Sequence, residues 1–187
     1  MMNHIDISSV LRQTLACDLY SNLVTRSTGA AVRGQIELLI NESRGGDRAL
    51  TVIDFSHVSM IDFSCADEVV AKLLLRYAGD DPPQEAYFLF RGVTEDHWDA
   101  IEAVLERHGL ALALEDAERV RVVGVLTDQE RCVWDATYRL GGAGAAEIAA
   151  AAGVFATDIE ETLLGLCRRR LMMRVDGQYM AVGSTRG

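Results

Sequence analysis

The chain has no paired or clustered cysteines. Cys17, Cys65, Cys132 and Cys167 are widely separated, with no CxxC pair and no Cys/His group, which excludes zinc-ligand spacing and a disulfide framework. Reduced thiols of this kind suit a cytoplasmic setting. Positive charge is also in deficit: the formal net charge of −10 excludes the overall basic character of a protein that coats nucleic acid or rests on an anionic membrane. No apolar run approaches the roughly 20 residues that span a bilayer. Met1 to Ser9, which includes His4 and Asp6, lacks the basic-then-apolar pattern of an export leader.

Catalytic signatures are missing as well. His4, His57, His97 and His108 show no HExxH or other ligand spacing, and each reads as a surface or internally satisfied histidine. No GxSxG elbow or Walker loop occurs, and Gly141-Gly142-Ala143-Gly144 follows no strand, so it reads as a linker between helices. The expectation is a non-enzymatic protein with no cofactor and no metal.

What is present suffices for a folded core, because 49% of the 187 residues are hydrophobic, enough for one medium domain or two small ones. Ile5 to Leu11 is a weak strand candidate. Ser27-Thr28-Gly29 reads as punctuation before a helix over Ala30 to Asn41, with Val32, Ile36, Leu39 and Ile40 on one face. Leu50 to Phe55 and Ala86 to Phe90 are continuous apolar, β-prone runs of the kind covered on both faces. Between them Ser64 to Tyr77 has helical spacing, and Thr94 caps a third helix that Gly109 closes. Alternating strands and helices predict an α/β domain with a parallel or mixed sheet.

The stretch Val52-Ile-Asp-Phe-Ser-His-Val-Ser-Met-Ile-Asp-Phe-Ser64-Cys-Ala-Asp-Glu68 resembles the centre of the STAS family, the sulfate-transporter and anti-sigma-factor-antagonist domains. Leu23-Val24-Thr25-Arg26-Ser27-Thr28-Gly29 ahead of a Ser-x-Ala-Asp-Glu loop looks like STAS-like regulators encoded with helix-turn-helix and kinase-type ATPase modules. The resemblance covers roughly residues 20 to 110. It implies that Asp54 and Asp62 fall on the family's two aspartates and Ser64 on the serine that partner kinases phosphorylate. Phe63 and Cys65 stand where the family has a serine and a glycine. The partner surface it implies comprises Asp62, Phe63, Ser64, Cys65, Asp67 and Glu68.

Two physical readings of Ser64 stand side by side. A phosphate at a helix start meets free backbone N–H groups and the helix dipole, and adds about −1.5 to −2 charges beside Asp62, Asp67 and Glu68. Alternatively Ser64 is simply an N-cap with Asp67 at the third helical position, worth about 1 kcal/mol. Cys65 has a similar pair of readings, a small buried hydrophobe or a thiol made reactive by the helix start.

The pattern changes near Arg119 to Leu126, after the apolar run Val120 to Val125, and the domain boundary is placed there: 1–126 and 127–187. Helical patterns over Asp128 to Leu140 and Ala145 to Ala152 precede Gly153 and a third helix capped by Thr157. Met172 to Val175 and Gln178 to Val182 then flank Asp176-Gly177, the strongest short hairpin signal. This order resembles a winged helix-turn-helix. Arg168, Arg169, Arg170 and Arg174 form its DNA-binding candidates, yet the third helix opens with Thr157, Asp158, Glu160 and Glu161, acids that phosphate repels. Residues 127–187 carry seven arginines against eight acids, a net of −1.

These features predict a partner-switching regulator that binds a regulatory protein such as a kinase-type ATPase or anti-sigma factor, with the winged module as a second interface or homodimer contact. The alternative is a DNA-binding transcriptional regulator with the N-terminal domain as its sensor.

Overall fold

Consecutive apolar residues in a strand need cover on both faces. In the computed structural model, which describes residues 2–7, 9–10, 22–42, 49–117 and 119–184, the two apolar runs are β3 (Ala49–Asp54) and β5 (Ala86–Arg91). They lie inside a five-stranded sheet with β1 (Met2–Asp6), β6 (Ala111–Glu115) and β7 (Val120–Gly124), in the order β1-β3-β5-β6-β7. The first four strands run parallel, with Asp6, Asp54, Arg91 and Glu115 in register, and β7 is antiparallel to β6. A short parallel ladder of β2 (Asn22–Leu23) and β4 (Met60–Ile61) lies apart from the sheet.

Side chains alternate between two cores. Ile53, Phe88, Phe90, Leu112, Leu114 and Val123 face the helical layer, made of α1 (Arg26–Glu42), the helical run Phe63–Tyr77 and α4 (Glu95–His108). That run consists of α2 (Phe63–Ala66), a π-helical stretch (Asp67–Lys72) and α3 (Leu73–Tyr77). Val52, Tyr87, Leu89, Ala111, Ala113, Val120 and Val122 point the other way, into a second core with Trp134, Ile148, Leu163 and Leu166. The C-terminal segment therefore closes the sheet's other face. It comprises α5 (Asp128–Leu140), α6 (Ala145–Ala152), α7 (Ala156–Arg168) and the hairpin β8 (Met172–Val175) and β9 (Gln178–Ala181). At the hairpin turn Asp176 and Gly177 have φ of 51° and 79°, the positive pair that a type I′ turn requires.

Several expectations are corrected. The N-terminal strand covers Met2–Asp6 rather than Ile5 to Leu11, with Ile7 already helical; Ser8 and Leu11 of that candidate lie outside the described residues. Ser27, Thr28 and Gly29 do not precede α1 but form its first turns, because Gly29 is the contact point with the neighbouring helix. A Cβ at Gly29 would lie 2.9 Å from the Cys65 Cα. Phe155, not Thr157, is the N-cap of α7. Ala143 exchanges backbone hydrogen bonds with Tyr179, so the glycine-rich linker adds a bridge to the hairpin. The strand β6 escapes notice in sequence because Ala111-Leu-Ala-Leu has little β propensity and is held by its buried neighbours.

Gly29→Ala forces α1 away from Cys65 and is expected to cost about 1–3 kcal/mol in urea unfolding. Gly34→Ala, whose Cβ would meet nothing within 4 Å, is the control and should be stabilising by about 0.5–1 kcal/mol.

Candidate functional site

The loop after β4 is organised by one carboxylate. Asp62, in extended backbone conformation, is the N-cap of α2: its Oδ1 accepts from the Cys65 N–H at 2.8 Å and from the Ser64 hydroxyl at 2.9 Å. Its Oδ2 accepts from the Thr25 N–H at 3.0 Å, while the Asp62 N–H donates to the Leu23 carbonyl. Two loops, far apart in sequence, are thereby joined where β2 pairs with β4. Burial opposes ionisation of Asp62, but the donors from Thr25, Cys65 and Ser64 outweigh it and hold the carboxyl below its usual range.

The cap is therefore Asp62 and not Ser64, a correction to the N-cap reading. Ser64 occupies the second helical position, and Asp67 lies beyond the first turn. Thr25 has φ of 79°, in the left-handed region that a β-branched side chain rarely enters, at a cost of about 1–3 kcal/mol. The contacts that hold it there are the Asp62 carboxylate on its N–H and, on its carbonyl, the Gly29 N–H and the Cys65 thiol at 2.8 Å.

The six expected contact residues divide sharply. Phe63 is exposed, with the Arg107 guanidinium 5.6 Å from its ring centre, and Asp62 and Ser64 are half-buried. Cys65, Asp67 and Glu68 are buried. Burial, with Asp62 nearby, pushes the Cys65 thiol up to about 12, so the activated-thiol reading is overturned by a desolvated sulfur next to a carboxylate. Asp67 and Glu68 meet cations within the chain. Arg26 Nη1 bridges Asp67 Oδ2 at 2.8 Å and Glu68 Oε1 at 2.9 Å, His108 Nε2 lies 2.7 Å from Asp67 Oδ1, and Arg33 and Lys72 also hold Glu68. Burial again opposes ionisation, yet these partners keep both carboxyls below their usual range. Both acids lie at the start of the π-helical stretch Asp67–Lys72, a geometry frequent at functional sites.

A second cluster, at the carboxyl ends of the parallel strands, was not read as a site in sequence. Asp54 Oδ2 lies 2.8 Å from Arg91 Nε and 2.8 Å from His4 Nε2, and its Oδ1 accepts from the Ser56 N–H at 2.9 Å. Burial opposes the charge, but Ser56, Arg91 and His4 hold the carboxyl well below the usual range. These groups come from three strands, so only their register reveals the cluster. Among the described residues no group of three or more His, Cys, Asp or Glu is arranged to hold a metal ion.

The arginines proposed for DNA each have a partner within the chain, with Arg168 and Arg174 exposed and Arg169 and Arg170 half-buried. Arg168 pairs with Asp80 at 2.8 Å, and Arg169 meets Glu130 at 3.0 Å and the Val125 carbonyl. Arg170 donates to the Tyr77 carbonyl at 2.7 Å and stacks over Tyr87. Arg174 lies over Tyr179.

Acid should destabilise the fold in two stages. His97 is buried; its Nδ1 accepts from the Thr94 N–H at 3.1 Å, leaving Nε2–H to donate to the Val58 carbonyl at 2.9 Å, an arrangement only neutral imidazole satisfies. Burial lowers its pKa, so stability present above the unfolded value of about 6.5 falls as pH drops below it. Asp54, Asp62, Asp67 and Glu68, all lowered, contribute stability that is complete above their ordinary values and is lost below about pH 4. Urea unfolding against pH should show both limbs, and Asp54→Asn should flatten the lower one. A single limb common to both proteins contradicts this assignment.

Comparison with known proteins brings no match: no family model fits the chain, and no curated protein aligns with it significantly.

Proposed function

We propose that this chain is a non-enzymatic regulatory protein that works by protein–protein contact, resembling anti-sigma-factor antagonists in partner switching. In this reading residues 1–126 form a STAS-like domain and residues 127–187 a winged helix-turn-helix. A parallel-rich sheet, a strand-to-helix loop that presents Ser64, and a C-terminal order of three helices and a hairpin support that arrangement. The partner is a kinase-type ATPase or anti-sigma factor, met in the cytoplasm.

One observation carries the reading. The Ser64 hydroxyl donates to the same Asp62 carboxylate that caps α2 and holds Thr25. Phosphorylation exchanges that donor for a group of about −1.5 to −2 charges, which Asp62 repels at hydrogen-bond distance. The cap and the strained Thr25 link then loosen together, and the surface around exposed Phe63 changes shape and charge. Ser64 is within the helical layer, on the sheet face opposite the C-terminal segment, so no part of that segment needs to move for a partner to reach it.

The DNA-binding alternative draws less support. Arg168, Arg169 and Arg170 make contacts with the N-terminal half or with Glu130, and the exposed start of α7 carries Asp158, Glu160 and Glu161.

Affinity capture from the native host, with wild type, Ser64→Ala and Ser64→Asp as baits, tests the switch. Wild type and Ser64→Ala should recover the same regulatory protein, and Ser64→Asp should recover about tenfold less or lower still, the scale of like-charge juxtaposition. Equal recovery by all three removes the phosphoswitch.

A further inference from the structure

Opposite charges are layered along the junction of α1 with the helical run Phe63–Tyr77. Beneath lie Glu37, Asp67 and Glu68, whose side chains are 15%, 7% and 3% exposed. Above them lie Arg26, Arg33, Lys72 and Arg76, at 51%, 25%, 41% and 49%. The acids hold the cations in place while contributing little to the outer surface. Cationic groups, each paired with an acid beneath it, therefore face outward here on a chain whose net charge is −10. Lys72 among them is the only lysine of the chain.

A groove of about 570 Å³ opens in this surface, lined by Arg33, Lys72, Leu75, Arg76, Asp81 and Pro83. Leu75 is 46% exposed, an apolar side chain among three cations. Asp81 is the one exposed acid in the lining. We propose that this groove docks an acidic segment of a protein partner, its carboxylates on Arg33, Lys72 and Arg76 and an apolar side chain on Leu75 and Pro83. The inference rests on the protein-binding reading above and specifies the partner's chemistry.

Charge complementarity selects this occupant. Most of the protein repels an acidic segment, and this groove attracts it, which fixes where the partner lands more than how tightly it is held. Leu75 and Pro83 offer an apolar contact beside the cations, which suits a peptide that alternates acidic and apolar side chains. Ser64 lies near the start of the helical run on which Lys72, Leu75 and Arg76 lie further along, with the buried residues Cys65 to Ala71 between them.

The test is fluorescence anisotropy of the full chain with a labelled peptide of repeated Glu-Glu-Leu. Wild type should bind, and more weakly as salt rises. Lys72→Gln should weaken binding about three- to fivefold and Asp81→Asn strengthen it by a similar factor, the scale of one partly exposed charge. Leu75→Asp should abolish it. Opposite effects of two surface substitutions cannot come from misfolding, and thermal unfolding of each variant checks the fold. Four results overturn the proposal: no binding by wild type, equal binding of a Lys-Lys-Leu peptide, tighter binding of an oligothymidylate, or self-association of the chain that Leu75→Asp abolishes, which assigns the groove to a second copy. Ser64→Asp, run in parallel, reads the phosphoswitch separately, since the groove can bind the peptide whether or not position 64 acts as a switch.

Discussion

Both faces of the sheet are apolar, and the whole architecture follows from covering them. The crossover helices cover one face with Val32, Ile36, Val69, Leu73, Ile101 and Leu105. The other exposes Val52, Tyr87, Leu89 and Val122, and each such side chain gains about 1.5–3 kcal/mol when it is fully buried. The C-terminal segment supplies that cover, and Trp134 anchors it by packing in the second core while its indole N–H donates to the Leu171 carbonyl at 2.9 Å. Arg131, donating to the Val122 carbonyl, and Arg170, reaching Tyr77, add polar ties across the same junction. The C-terminal helices and hairpin thus share a core with the sheet.

With both faces closed, the surfaces left for recognition are loops and the outer sides of the two layers that cover the sheet. Buried carboxylates shape the loops and the helical layer. Asp62 fixes the start of α2 and the strained Thr25, so the Ser64 hydroxyl belongs to a local network of three donors that share a single carboxylate. Asp67 and Glu68 act differently: enclosed by Arg26, Arg33, Lys72 and His108, they organise cations that remain half-exposed. A carboxylate in low dielectric needs such partners to stay ionised, and those partners set the charge that the helical layer presents outward.

Much of the fold could be read from residue order. The runs Leu50 to Phe55 and Ala86 to Phe90 announced strands covered on both faces, Thr94 and Gly109 bracketed α4, and Asp176-Gly177 marked the hairpin turn. The candidate site was legible in part. A helix does follow the strand β4, but it begins at Phe63 with Ser64 second, and the cap is Asp62, because an acid one residue before the helix outcompetes a serine inside its first turn. Asp67 and Glu68, adjacent acids in a polar-looking motif, read as surface. Their burial depends on arginines some forty residues away and on a π-helical stretch that no residue pattern marks.

The sequence by itself determined the strand and helix alternation, the hairpin turn and the absence of zinc, nucleophile-elbow and Walker signatures, because each depends on spacing between near neighbours. Tertiary structure alone decided that the C-terminal segment seals the sheet, that Arg169 and Arg170 are tied to other parts of the chain, and that Asp54, His4 and Arg91 converge from three strands. It also decided which charges face solvent. Those outcomes depend on which distant surfaces meet, and burial, which strengthens every charge interaction by removing water, is a property of the assembled layers and not of any local stretch of chain.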